Sequence, residues 1–230
     1  MINRYARQLT LPEIGKEGQA KLGESKVLLI GCGALGSMVA MQLAGAGVGE
    51  IGIADFDTVD ITNLQRQFFF KTEEAGKSKV DLLFQRIVDL NPETKVNVIR
   101  EMVTPQRAKE LFQVYDFIVD GTDNPESKRM TGEISKLAGK PCCIGGVSGF
   151  SGQLMTFLPD SARFEDYFGE TTTEGFLPCS LGGVIGPSAG LCASLQAAEV
   201  IKFLTGAGDI LTGKLLIFDL LKNSFRVFSL

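Results

Sequence analysis

The chain has 230 residues, 44% of them hydrophobic and 22% charged, enough to bury a substantial core as one domain without disulfides or a structural metal. Its formal charge of -4 gives no sign of a nucleic-acid-binding surface, while leaving room for a local basic pocket that holds small phosphates. It contains no histidine, which removes Ser-His-Asp and Cys-His catalysis, histidine metal sites and imidazole proton shuttling.

In chain order, Met1 to Arg7 never enters the apolar run of a signal peptide. Lys26 to Ile30 is a short apolar run ending at Gly31 and reads as a buried strand. A helix rich in small residues follows from Ala34 to Ala46, then a second strand from Glu50 to Asp55. Gly76 to Leu90 carries Val80, Leu83, Phe84, Ile87 and Leu90 at helical spacing and stops at Asn91-Pro92. Lys95 to Arg100 alternates like a strand, and Thr104-Pro105 is a helix cap followed by proline at the first helical position. Tyr115 to Asp120 is the next strand, Asn124-Pro125 repeats the cap-plus-proline start, and Gly139 closes that helix. Two more strands follow, Pro141 to Ile144 and Gly152 to Phe157.

Pro159 to Gly182 lacks periodicity and is expected to be a mobile, crossover-type functional loop. Gly183 to Leu204 is long and largely apolar, but Gln196, Glu199 and Lys202 interrupt it, so it reads as a loop entering a buried helix and not a membrane span. Leu215 to Leu220 and Phe225 to Phe228 form a terminal hairpin around Lys222-Asn223. The expected fold is a single α/β domain over residues 1–230, Rossmann-like, with a mainly parallel twisted sheet, helices on both faces and antiparallel strands in the C-terminal part.

The five cysteines are Cys32, Cys142, Cys143, Cys179 and Cys192. None forms a C-x-x-C pair, so no zinc site is expected. An odd number without a signal peptide points to reduced thiols in the cytoplasm. Cys142, Cys143 and Cys192 read as core. Cys179, in Pro178-Cys179-Ser180, is either an inert thiol or a chemical group, and activation would need a lysine, an arginine or a helix end.

Gly31-Cys32-Gly33-Ala34-Leu35-Gly36 is a G-x-G-x-x-G turn between a predicted strand and a predicted helix. Its glycines, Gly31, Gly33 and Gly36, let helix N-terminal amides face phosphate oxygens. Asp55 ends the next strand, where a carboxylate can accept ribose hydroxyls. Alone, this pattern fits a nicotinamide-dependent oxidoreductase or a purely structural turn. The polar segment that follows, from Asp55 through Asp57 and Asn63 to Arg66-Gln67, ends in a cation and amides, and Lys77 and Lys79 open the next helix. A triphosphate, whose charge must be neutralised, has use for such cations. The bland alternatives are a solvated Arg66, a helix-surface Lys79, and turn or capping chemistry for Asp123 and Asn124.

These segments, with Gly76-Lys77-Ser78-Lys79 and Asp120-Gly121-Thr122-Asp123-Asn124, resemble the ThiF/MoeB/HesA family, relatives of the adenylation domain of ubiquitin-activating enzymes. The likeness runs from Arg4-Tyr5-Ala6-Arg7-Gln8 to the terminal hairpin. It implies ATP-dependent adenylylation of the C-terminal glycine carboxylate of a small ubiquitin-like sulfur-carrier protein ending in Gly-Gly, ThiS-like or MoaD-like, in thiamine or molybdopterin biosynthesis. Asp55 would hold the ribose; Asn63, Arg66 and Lys79 would contact the phosphates; Asp123 would bind Mg2+. Asp57, Gln67 and Asn124 belong to the same candidate nucleotide site. Arg7 would reach the neighbouring subunit's site in a homodimer, and Cys179 matches a cysteine linked to sulfur transfer. The zinc-binding C-x-x-C pairs of many members are absent, and the sulfur donor would be a separate protein. Other adenylation targets, a peptide or tRNA-bound threonylcarbamoyladenosine, stay open; neither nucleic acid nor membrane is an expected partner.

Overall fold

The computed structural model describes residues 4–161 and 183–230. The strands are β1 (Lys26–Ile30), β2 (Glu50–Ala54), β3 (Lys95–Ile99), β4 (Phe117–Asp120), β5 (Cys142–Ser148), β6 (Ser151–Phe157), β7 (Lys214–Asp219) and β8 (Ser224–Ser229). The helices are α1 (Ala6–Leu9), α2 (Gly15–Glu24), α3 (Ala34–Ala46), α4 (Lys79–Leu90), α5 (Pro105–Leu111), α6 (Pro125–Leu137) and α7 (Gly186–Thr205). The strands form one sheet in the order β3-β2-β1-β4-β5-β6-β7-β8. The first five are parallel, and β6, β7 and β8 are added antiparallel.

Alternation along the central strands divides the core into two layers. Val27 and Leu29 of β1 face a cluster built with Leu43, Ile51, Leu83, Phe117 and Val200. Leu28 and Ile30 face the opposite side, with Phe112, Tyr115, Ile118 and Ile134. Strands buried on both faces read as continuous apolar runs, which is why β1, β2 and β4 are evident in the sequence. Small residues let α3 approach α7: Ala40 and Ala44 share a cluster with Ala189, Ala193 and Ala197.

Two of the three polar residues that interrupt the apolar run of α7, Gln196 and Glu199, are buried and bonded, while Lys202 is half-buried. Gln196 Nε2 donates to the carbonyls of Asp120 (2.9 Å) and Cys143 (3.4 Å). Glu199 accepts from Thr156 Oγ1 at 2.6 Å and from the Leu211 amide at 2.7 Å. Among the described residues, no helix is long and apolar enough to cross a membrane.

Three local expectations need correction. The helix expected from Gly76 begins at Lys79, because Ser78 caps it and residues 76–79 first run back along 57–59, with Val59 N–H donating to Lys77 O and Lys79 N–H to Asp57 O. Lys77 therefore precedes the helix. Strand β5 extends past Ile144, since Gly145 and Gly146 pair with Leu154 and Gln153. Helices α1 and α2 are additional; α2 buries only Gly18 and Leu22, too few apolar positions to reveal a period. Of the expected loop 159–182, residues 162–182 lie outside the described residues, and Cys179 with them.

Candidate nucleotide-binding site

Strand order reverses between β1, which leads outward to β2 and β3, and β4, which leads the other way to β5. Ligands of open α/β sheets bind at the carboxyl ends of the strands at such a switch point. The loops that leave β1 and β4 there touch each other. Gly31 has φ +88°, and a Cβ on it would lie 3.1 Å from the Gly121 backbone. A Cβ on Gly36 would lie 1.8 Å from the Gly31 carbonyl oxygen. Gly36 thus seats the first turn of α3 on the strand–loop junction, and it does not line the cleft beyond.

That cleft has a volume of about 690 Å3 and runs along the ends of β1, β2, β4 and β5. Its apolar lining includes Phe56, Met102, Val103, Met130 and Ile134. Its polar lining includes Asp55, Asp57, Arg66, Gln67, Lys79 and Asp123. Gly33 and Ala34 open α3 on the cleft, and no side chain caps the helix start. The first amides of a thirteen-residue helix and its dipole therefore face the cavity, a favourable place for an anion.

Asp55 follows β2, and its carboxylate shapes the turn. Oδ2 accepts the Cys32 amide at 2.6 Å and Oδ1 the Asp57 amide at 2.9 Å. Each oxygen keeps acceptor capacity for a ribose hydroxyl. Burial, followed by the Asp55 charge, pushes the Cys32 thiol well above its ordinary pKa, so this residue offers its amide and not a thiolate. Lys79, at the start of α4, is buried at 4% exposure, and its ammonium sits 2.5 Å from Asp57 Oδ2. Arg66 is half-buried, and its Nη1 donates to the Thr62 carbonyl at 3.1 Å. Gln67 is buried at 4% exposure, and its Oε1 finds no partner among the described residues. A buried amide oxygen without a donor costs free energy, and it points to a missing ligand group.

On the opposite wall, Asp123 is exposed, and its carboxylate has no partner among the described residues. Asn124 lines the cleft but also caps α6, accepting the Ser127 amide at 2.7 Å. Two expected residues stand away from the cavity. Asn63 lies in the single turn Ile61–Asn63, and its carbonyl accepts the amides of Arg66 and Gln67 at 3.0 Å each, so it shapes the segment that presents them. Arg7 is exposed on α1 and does not line this chain's own cleft.

The residues present fit a nucleoside triphosphate with its metal. The cleft supplies Arg66, Lys79 and a helix start for phosphate charge, the Asp55 carboxylate for a sugar and apolar side chains for a base. Among the described residues, no group of three or more His, Cys, Asp or Glu could hold a metal by itself. A single carboxylate such as Asp123, completed by phosphate oxygens and water, is an ordinary Mg2+ arrangement.

Sequence reasoning missed Lys128, which lines the cleft at 3% exposure and pairs with the fully buried Asp120 at 2.8 Å. The buried residues of α6 are Lys128, Thr131, Gly132, Ile134 and Ser135. Only Ile134 among them is a large apolar residue, so an apolar period could not show this face.

Comparison with known proteins agrees with this geometry. Residues 5–230 match the family described as the ThiF family. The chain is 39% identical over 235 residues to the probable adenylyltransferase/sulfurtransferase MoeZ of Mycobacterium tuberculosis H37Rv, covering 100% of this chain and 60% of that protein. It is 35% identical to the sulfur carrier protein adenylyltransferase of Thermus thermophilus, covering 98% of this chain and 86% of that one. Among solved structures, E. coli MccB with ATP superposes with a TM-score of 0.83 at 26% identity, covering 99% of this chain and 71% of that one. The chain thus spans less than two thirds of the length of MoeZ.

Proposed function

Because the chain belongs to the ThiF family, we propose that it transfers the adenylyl group of ATP to the C-terminal carboxylate of a small ubiquitin-like sulfur-carrier protein. The observation that carries this reading is the convergence of Arg66, Lys79, Asp123 and the start of α3 on one cleft beside Asp55. A site built only for a dinucleotide has little use for two cations facing a carboxylate. The names of relatives that match nearly all of this chain support the same activity.

In this reaction a carrier carboxylate oxygen attacks the α-phosphorus of ATP. The bond from that phosphorus to the bridging oxygen of the β-phosphate breaks, giving an acyl-adenylate and pyrophosphate. A carboxylate is already ionised at neutral pH, so no general base is required and the lack of histidine is no obstacle. The protein's part is positioning and electrostatics. Arg66, Lys79 and the α3 amides spread the triphosphate charge, Asp55 holds the ribose, and Gln67 Oε1 accepts a donor from the ligand. Asp123 would hold a magnesium ion, which would neutralise phosphate charge. Arg7 acts on the cleft of a second copy in a homodimer. The carrier serves thiamine or molybdopterin sulfur transfer, with a separate protein as sulfur donor.

The test is ATP–pyrophosphate exchange with purified ThiS-like and MoaD-like carriers ending in Gly-Gly. Exchange should depend on the carrier and be lost when its terminal glycine is removed. Thermal stabilisation by NAD but not by MgATP, with no exchange, would replace this reading by an oxidoreductase.

A further inference from the structure

We propose that Lys128 is a positioning residue that fixes the loop from which Asp123 reaches the cleft, an inference that rests on the adenylyl-transfer reading above. Its ammonium has three protons, and all three are committed. It donates to Asp120 Oδ1 at 2.8 Å, to the Thr122 carbonyl at 2.7 Å and to the Gly145 carbonyl at 2.6 Å. No donor remains for a phosphate. The charge of Lys128 is offset by Asp120, so the pair supplies no uncompensated cation to the cleft.

The clamp instead joins three separate pieces of backbone. Asp120 is the last residue of β4, Thr122 lies in the loop that carries Asp123, and Gly145 belongs to β5, one residue before the cleft-lining Gly146. Thr122 is held from both sides. Its carbonyl accepts from Lys128, and its amide and hydroxyl donate to Asp120 Oδ1 at 3.1 Å and 2.9 Å. Thr131 Oγ1 donates to the other oxygen, Oδ2, at 3.0 Å. Asp123 comes next in the chain and has no side-chain partner of its own among the described residues. The position of its backbone is therefore inherited from Thr122. Burying an ion pair carries a desolvation cost, and an apolar pair of similar volume is often no less stable. The gain here is geometric: a saturated ammonium fixes a loop that would otherwise lean on its glycine, Gly121.

The test compares wild type with Lys128→Arg and with the double variant Lys128→Met/Asp120→Asn. The double variant removes both charges, so neither is left buried alone. Two readouts are used: ATP–pyrophosphate exchange, resolved into kcat and KM for ATP, and the thermal shift produced by ATP with and without Mg2+. A correctly placed Asp123 matters for the metal and the reacting geometry more than for the nucleotide alone. The double variant should melt cooperatively, keep the ATP shift without metal, lose most of the added Mg2+ shift, and show kcat down about a hundredfold with KM within about threefold. Lys128→Arg, which keeps a buried cation with donors, should restore most of both signals. A folded double variant with wild-type kcat and a wild-type Mg2+ shift would overturn the proposal. If the double variant does not fold, Thr122→Val, which removes only the hydroxyl bond to Asp120, should still weaken the Mg2+ shift, and an unchanged shift would count against the clamp. Absence of exchange in wild type would defeat the functional reading alone, and the thermal shifts would still decide the role of Lys128.

Discussion

The ammonium of Lys79 is buried while its partner, the carboxylate of Asp57, is half open to solvent: their side chains are 5% and 54% exposed. The asymmetry means that Lys79 is held in the cleft wall by a group that water can readily hydrate in its place. Replacing Lys79 should therefore cost activity far more than stability. Lys79→Gln is expected to lower the exchange rate about a hundredfold, the scale of one lost charged contact to the transition state. Its unfolding free energy should fall by only about 1 kcal/mol, because an exposed carboxylate freed of its partner is resolvated. Exchange kinetics and urea unfolding measure the two effects, and a large loss of stability with normal kcat would refute the assignment.

Arg7 is exposed on α1 and away from this chain's cleft, whereas Arg66 lines it. If Arg7 serves the cleft of a second copy, the inactive variants Arg7→Ala and Arg66→Ala should complement each other when mixed and re-equilibrated. Half of the dimers would be mixed, each with one intact site, so about a quarter of wild-type exchange should return. Light scattering of the same samples should give the dimer mass. No recovery from a confirmed mixed dimer would exclude action in trans.

The core thiols should be inert in the native protein. Burial pushes Cys142 and Cys192 up to about 12, outweighing the Ser135 hydrogen bond at the first and the Lys128 charge at the second, and it raises Cys32 and Cys143 as well. At neutral pH all four are protonated and shielded. Iodoacetamide with mass-spectrometric mapping should therefore leave Cys32, Cys142, Cys143 and Cys192 unlabelled in native protein and label all four in denaturant. Early labelling of Cys142 or Cys192 would contradict the buried assignment.

Acid should weaken the segment that carries the cleft cations, through Glu74. Desolvation by burial would raise its pKa, but donation by the Lys71 amide at 2.9 Å and by the Arg86 guanidinium outweighs it, and the net shift is downward. A carboxylate lowered in the folded state stabilises above its unfolded pKa, and that contribution disappears as pH falls through the folded value. Glu74→Gln should thus be less stable than wild type at neutral pH by about 1–3 kcal/mol. The gap should close below about pH 4, the ordinary carboxylate range. Thermal melts across that range decide the point, and a gap independent of pH would contradict it.

Much of this was legible in the sequence, and what was not has physical reasons. Val27–Ile30 and Phe117–Asp120 are buried on both faces, so their apolar runs announce central strands and place the turns that follow them. Asn124 and Thr104 cap the helices they were expected to cap, because an Asn or Thr before proline has few other uses. The role of Gly36 was not legible, since the pattern cannot tell a glycine that admits phosphate from one that admits a carbonyl oxygen. The placement of Lys77 outside α4 depends on a backbone pairing between 57–59 and 76–79 that no single segment encodes. Lys128 escaped because a buried helix lysine looks like a solvated one until its three acceptors, drawn from three segments, are seen together.

The most direct measurement is a crystal structure of the protein with a non-hydrolysable ATP analogue and magnesium. The expected result is a triphosphate at the start of α3 within hydrogen-bonding reach of Arg66 and Lys79, the ribose on Asp55 and the metal on Asp123. A nucleotide bound elsewhere, or those side chains turned away from it, would contradict the account.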